Sequence, residues 1–219
     1  MVDSPQIGNH GALDRLLAQA RTAVERENWA LAEDRLAKVV AGRPQDLEVV
    51  RLLAQVLRER GKVGEAEALL VKAWKAAVAA AVVAVDAGIE SRRELLLELA
   101  DLRLTDGRPA EAARVLGRVL EVEPNQWEAL WLLGNAFFDG GHMAEAANAY
   151  RESISANPFE AEPWWNLATA LERVGEAARA ADALEGWLGV VADGTEAAER
   201  ERVLAEIARL RAPSPERCG

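Results

Sequence analysis

One cysteine, two histidines and a single tyrosine in 219 residues leave little material for clustered side-chain chemistry. Cys218 has no partner for an internal disulfide, and its place beside the last residue reads as a free thiol. His10 and His142 have no second His or Cys at a ligand spacing, so no metal and no cofactor are expected, and His142 reads as an exposed turn residue. Three Phe and one Tyr, set against abundant Ala and Leu, weaken the case for a large sheet and favour helix. Positive charge is also short: 26 Lys and Arg face 36 Asp and Glu, a formal net charge of -10. That sign repels phosphates and anionic headgroups, which argues against nucleic acid and for protein partners.

Long apolar runs are missing too. The longest, 76–85, is ten residues of mostly Ala with Val, well under the ~20 that a spanning helix needs, so no membrane insertion is expected. Residues 1–12 lack a basic stretch followed by an apolar one, so no secretory leader is read and the expected location is cytoplasmic. There is no G-x-S-x-G, no Walker A sequence and no strand before a G-x-G-x-x-G. The carboxylates are scattered over amphipathic helices, where pairing any two as acid and base would be arbitrary, so a non-enzyme is expected. Usage of Ala, Arg, Val and Gly hints at a bacterial source.

What is present suffices to fold: 50% of residues are hydrophobic and 28% charged, and the chain reads as all-α. Its organisation is periodic. Leu130, Leu133, Gly134, Phe137, Ala146, Tyr150 and Pro158 fall at the offsets of W-x2-L-G-x2-Y, A-x3-F and P. Adding 34 gives Trp164, Leu167, Ala168, Leu171, Ala180 and Leu184 in the same slots, and stepping back gives Leu96, Leu99, Ala100, Ala112, Leu116 and Pro124. A further copy runs through Val50, Leu53, Ala54, Leu57, Ala66 and Leu70, and a degenerate one through Leu16, Ala20, Ala23, Ala32 and Leu36. On these residues the chain resembles the tetratricopeptide repeat (TPR) family.

The resemblance implies a right-handed α-solenoid of about five helix-turn-helix repeats, with frames 13–46, 47–80, 93–126, 127–160 and 161–194. A capping helix is expected over 195–211, with tails at 1–12 and 212–219. The extra residues 81–92 read as an extension of the second frame's second helix that stops at Gly88. Pro44, Pro124 and Pro158 mark breaks between frames, and Pro109 and Pro163 sit where a helix can begin.

The resemblance also implies a binding groove along the first helices and a scaffold or adaptor that takes a peptide or partner protein there. At the matching positions stand Glu128, Trp131, Leu132, Asn135, Phe138 and Asp139, then Glu162, Trp165, Asn166, Thr169, Glu172 and Arg173. Trp131 and Trp165 lie outside the framework slots and are expected at least partly on the groove surface, whereas Trp29, Trp74 and Trp187 read as packing residues. Asn135, Asn166 and Arg200 match part of the family's carboxylate clamp, but Trp131 and Glu196 replace its lysines. In the second frame Arg51, Gln55 and Arg58 form a more basic wall than the third frame's Glu94, Glu98 and Asp101. The alternative is a homo-oligomer that self-assembles through the extended Ala/Val-rich helix.

Small residues such as Gly134 and Ala146 let paired helices approach closely. Replacing Ala146 with Leu is therefore expected to cost about 1–3 kcal/mol, and an unchanged melting curve would refute that reading.

Overall fold

The computed structural model describes residues 7–81, 89–191 and 197–212, and all regular elements among them are α-helices. The chain divides after Leu102 into two compact units. The first holds α1 (Ile7–Glu25), α2 (Trp29–Gly42), α3 (Leu47–Glu59), α4 (Val63–Ala81) and most of α5 (Ile89–Thr105). The second holds α6 (Pro109–Val122), α7 (Trp127–Asp139), α8 (Met143–Ala156), α9 (Ala161–Arg173), α10 (Ala177–Val190) and α11 (Ala197–Arg211). In the first unit α1 packs on α2, α2 on α3 and α3 on α4, and in the second each helix from α6 to α11 packs on the next.

Local chemistry sets the helix starts. The Asn28 side chain accepts the Leu31 N–H at 3.2 Å, and Asp46 accepts that of Val49 at 3.3 Å. Such caps contribute roughly 1 kcal/mol each. Pro109 is the first residue of α6, where its missing N–H breaks no intrahelical bond. Two starts fall earlier than the frames imply: α1 opens at Ile7, inside the stretch read as a tail, and α5 opens at Ile89. In α1 the only breakers are Gly8 and Gly11, each costing about 1 kcal/mol against Ala, less than a helix anchored by buried Leu13, Ala20 and Ala23 can absorb. The stop expected at Gly88 lies outside the described residues.

The hairpin turns share one backbone device. Gly107, Gly141 and Gly175 recur at the 34-residue period with φ of 71°, 82° and 82°. At the fourth frame's turn the His142 N–H reaches back to the Phe137 carbonyl at 2.8 Å and Gly141 N–H to Phe138 at 3.0 Å, satisfying carbonyls that the helix end leaves open. In the first turn the slot is filled by Glu27, with φ 55°.

Alternate small and large side chains build the core. Ala32, Ala66, Ala112, Ala146 and Ala180, one per frame, are all fully buried. At Gly134 a Cβ would stand 2.3 Å from the Tyr150 ring, so α7 and α8 cross where no side chain fits. Gly186 makes the same allowance for Trp164, whose ring would lie 2.4 Å from an added Cβ. Tyr150 is buried, while Leu133 and Phe137 are only half-buried. From α11, Val203, Ile207 and Leu210 join the core of the second unit. Ser153, its one buried polar side chain among the described residues, donates to the Trp127 carbonyl at 2.8 Å.

The left-handed conformation costs an L-residue about 1–2 kcal/mol, and glycine avoids that at an entropic cost of about 0.5–1 kcal/mol. Glu27→Gly is thus expected to raise stability by about 0.5–1 kcal/mol in urea denaturation; a lowered midpoint would contradict the argument.

Candidate binding face

Neighbouring helices α7 and α9 bring Trp131, Asn135 and Phe138 together with Trp165, Asn166, Thr169 and Arg173. The spacing follows from helix geometry, since residues three or four apart share one face. The Asn166 side-chain amide donates to the Asn135 Oδ1 at 3.0 Å, and the Arg173 guanidinium lies 5.4 Å from the centre of the Phe138 ring. Thr169 donates its hydroxyl to the Trp165 carbonyl at 3.0 Å, closing that group within its own helix. Leu132, which the frame also assigns to the face, is buried in the core.

The two tryptophans differ although they hold the same frame position. Trp131 is half-buried against the core, and its indole N–H is enclosed with no acceptor among the described residues. Trp165 is 44% exposed and meets Trp187 of α10 edge to face, with ring centres 5.3 Å apart. Trp187, read from sequence as a packing residue, is partly buried against the core and also supports Trp165.

A buried polar link runs beneath the face. The Tyr150 hydroxyl donates to Asn135 Oδ1 at 2.8 Å, so that oxygen accepts from both Tyr150 and Asn166. Burial pushes the Tyr150 phenol above its ordinary range, with the nearby Asp139 charge acting in the same direction. Of the clamp residues, Asn135 and Asn166 are thus bonded to each other, Arg200 is exposed on α11, and Glu196 lies outside the described residues.

Beside Trp165, an open groove of about 250 Å³ runs between α9, α10 and α11. Its walls include Ala168, Leu184, Val203 and Leu210, with Glu172, Glu206 and Arg202 at the margins. Arg209 bonds both carboxylates, reaching Glu206 at 2.9 Å as well as Glu172, and holds the Glu206 carboxyl below its usual range. Arg202 was not singled out from sequence, yet continuing the 34-residue register from Ala168 leads to it.

In the first unit, Arg51 bonds Glu94, Arg58 bonds Asp101 at 2.5 Å, and Gln55 is exposed. The two arginines of the basic wall are therefore engaged by carboxylates of the acidic wall on α5. Among the described residues no group of three or more His, Cys, Asp or Glu could hold a metal ion, and no helix is long and apolar enough to cross a membrane.

A family model described as Tetratricopeptide repeat matches residues 17–82, 97–161 and 135–198. No curated protein matches. Among solved structures, MamA from Desulfovibrio magneticus (residues 41 to the end) is 15% identical at a TM-score of 0.65, covering 84% of this chain and 97% of its own. A tetratricopeptide repeat protein from Parabacteroides merdae is also 15% identical at a TM-score of 0.65, covering 91% and 72%. YrrB, described as having an unusual peptide-binding site, is 16% identical at a TM-score of 0.57, covering 85% and 90%. These likenesses concern the fold.

Tyr150 is the only tyrosine, so phenolate absorbance reports it alone. Its folded pKa lies above the unfolded value of about 10, so its contribution to stability is complete below that value and is lost as pH rises through the folded pKa. In an alkaline titration the phenolate signal is expected to rise together with loss of helicity; ionisation near pH ~10 with helicity intact would show that the phenol is not held as described.

Proposed function

The chain belongs to the tetratricopeptide repeat family, and on that premise we propose that it is a non-catalytic scaffold holding a peptide or partner protein on the face of α7 and α9. The carrying observation is the exposed Trp165, seated on Trp187 beside Asn166 and Arg173. Members of this family commonly act as protein-interaction scaffolds. Tryptophan and arginine dominate interface hot spots, where truncation can cost ≥ ~2 kcal/mol. A preformed face also loses less ordering entropy on association. Trp131, Asn135 and Phe138 form the more buried half of the face, and Thr169 lies along it. Arg51, Gln55 and Arg58 belong to the first unit, where the two arginines are already engaged by carboxylates.

A second reading, self-assembly through α4, is favoured by Val78, which is 43% exposed on that helix. The rest of the extended Ala/Val-rich helix expected from sequence, 82–88, lies outside the described residues.

Trp165 and Arg173 can be truncated with little loss of core, whereas Trp131→Ala would open a cavity. With the intact chain as bait in its source lysate, Trp165→Ala combined with Arg173→Ala is expected to lose a partner about 30-fold or more, the ratio that ~2 kcal/mol implies, at unchanged helicity. Retention by both proteins would remove the face from consideration. A discrete oligomer in light scattering, dispersed by Val78→Lys, would favour the second reading.

A further inference from the structure

At the end of the second unit where one frame passes into the next, two large apolar side chains stand in water. Phe159 is 81% exposed and Val122 69%, the highest values for such residues among those described. Val122 closes α6, and Phe159 sits in the loop between α8 and α9. Each helix pair reverses the chain, so the α6–α7 and α8–α9 loops open on the same end of the unit. The Ser153 hydroxyl, bonded to the Trp127 carbonyl, ties the last turn of α8 to the start of α7.

The loop that presents Phe159 is firmly built. The Phe159 N–H donates to Asn157 Oδ1 at 3.2 Å, the Asn157 amide donates to Glu160 at 3.2 Å, and the Trp164 indole N–H donates to the Pro158 carbonyl at 3.1 Å. Three hydrogen bonds thus fix the backbone around an aromatic ring that the chain itself leaves uncovered. The same frame position one repeat earlier holds Asn125, a polar residue suited to exposure. Exposed apolar surface held in one conformation marks a contact site and loses little ordering entropy when it is covered.

The charge around the pair selects its occupant. Residues 121–128 hold Glu121, Glu123 and Glu128, residues 152–162 hold Glu152, Glu160 and Glu162, and neither stretch contains Lys or Arg. The nearest cations along the chain are Arg118 in α6 and Arg151 in α8, and at the start of α11 Glu199 and Glu201 balance Arg200 and Arg202. Six carboxylates against two arginines repel a second copy of the same acidic chain and attract a basic partner. We propose that this end of the second unit docks a basic, amphipathic segment of a partner protein, whose apolar side chains cover Phe159 and Val122 while its Lys or Arg residues face the carboxylates. Neither Phe159 nor Val122 belongs to the α7–α9 face, and the proposal stands without that reading.

The probes are two labelled peptides of equal length, one with Leu and Lys at amphipathic helical spacing, the other with Glu in place of Lys. In anisotropy titrations with the full chain the Lys peptide is expected to bind at least about tenfold tighter than the Glu peptide. Phe159→Asn, which copies the residue of the preceding loop, is expected to weaken it about tenfold at unchanged helicity. Val174→Asn, which removes an exposed apolar residue at the α9–α10 turn, is expected to leave it unchanged. Equal binding of the Lys peptide to Phe159→Asn and the intact chain means attraction by net charge alone and overturns the proposal. Equal binding of both peptides, or binding of neither, overturns it too. In light scattering without peptide, a dimer that Phe159→Asn disperses assigns this end to a second copy and likewise overturns it.

Discussion

The close crossing of α7 and α8 governs the second unit. Gly134 leaves room for the Tyr150 ring where a methyl group would overlap it, and Ala146 one turn earlier on α8 is fully buried. With the ring fixed, its hydroxyl meets Asn135, and the same oxygen then receives Asn166 of the next first helix. One small residue in the core thereby sets the side-chain register of two helices at the surface. A loosened core would blur the face, because a hydrogen bond of about 1 kcal/mol holds only where packing has already placed both partners.

The same crossing explains why a repeated sequence yields unequal sites. Each frame offers its fifth position to the helix that follows, and burial there depends on what that helix supplies. Trp131 packs against the core and loses its polar edge to it; Trp165 keeps 44% of its surface and rests on Trp187. The capping helix α11 satisfies the core with Val203, Ile207 and Leu210 but leaves a groove beside Trp165. An array must end somewhere, and its last helix is under no requirement to reproduce the packing of those before it.

The fold was legible because the period and the turn glycines act through the backbone, which is the same in every frame. The alanine in each second helix and the glycine in three of the turns could be placed by counting. What counting missed depends on partners outside the frame. Glu27 occupies a glycine's conformation because the first turn has the geometry of the other turns with a different residue in the slot. Leu132 has a face position but is buried, since the stripe around α7 is wide enough to be covered on both sides. The pairing of Arg51 with Glu94 and Arg58 with Asp101 crosses the irregular stretch, where the 34-residue offset does not hold.

That pairing bears on where a partner would be held. An exposed ion pair contributes little to stability, on the order of 0–1 kcal/mol, yet it changes what a surface offers to others. A ligand anion approaching Arg51 or Arg58 must displace a carboxylate already bonded there, so its gain is the small difference between two similar interactions. Arg202 and Arg173 form no ion pair among the described residues, and the cation–π contact of Arg173, worth about 0.5–1 kcal/mol at an exposed site, orients the guanidinium without neutralising it. Two surfaces of similar composition therefore differ in what they can recognise: the first is electrostatically closed by its own chain, and the second keeps an apolar ring and an unneutralised cation side by side.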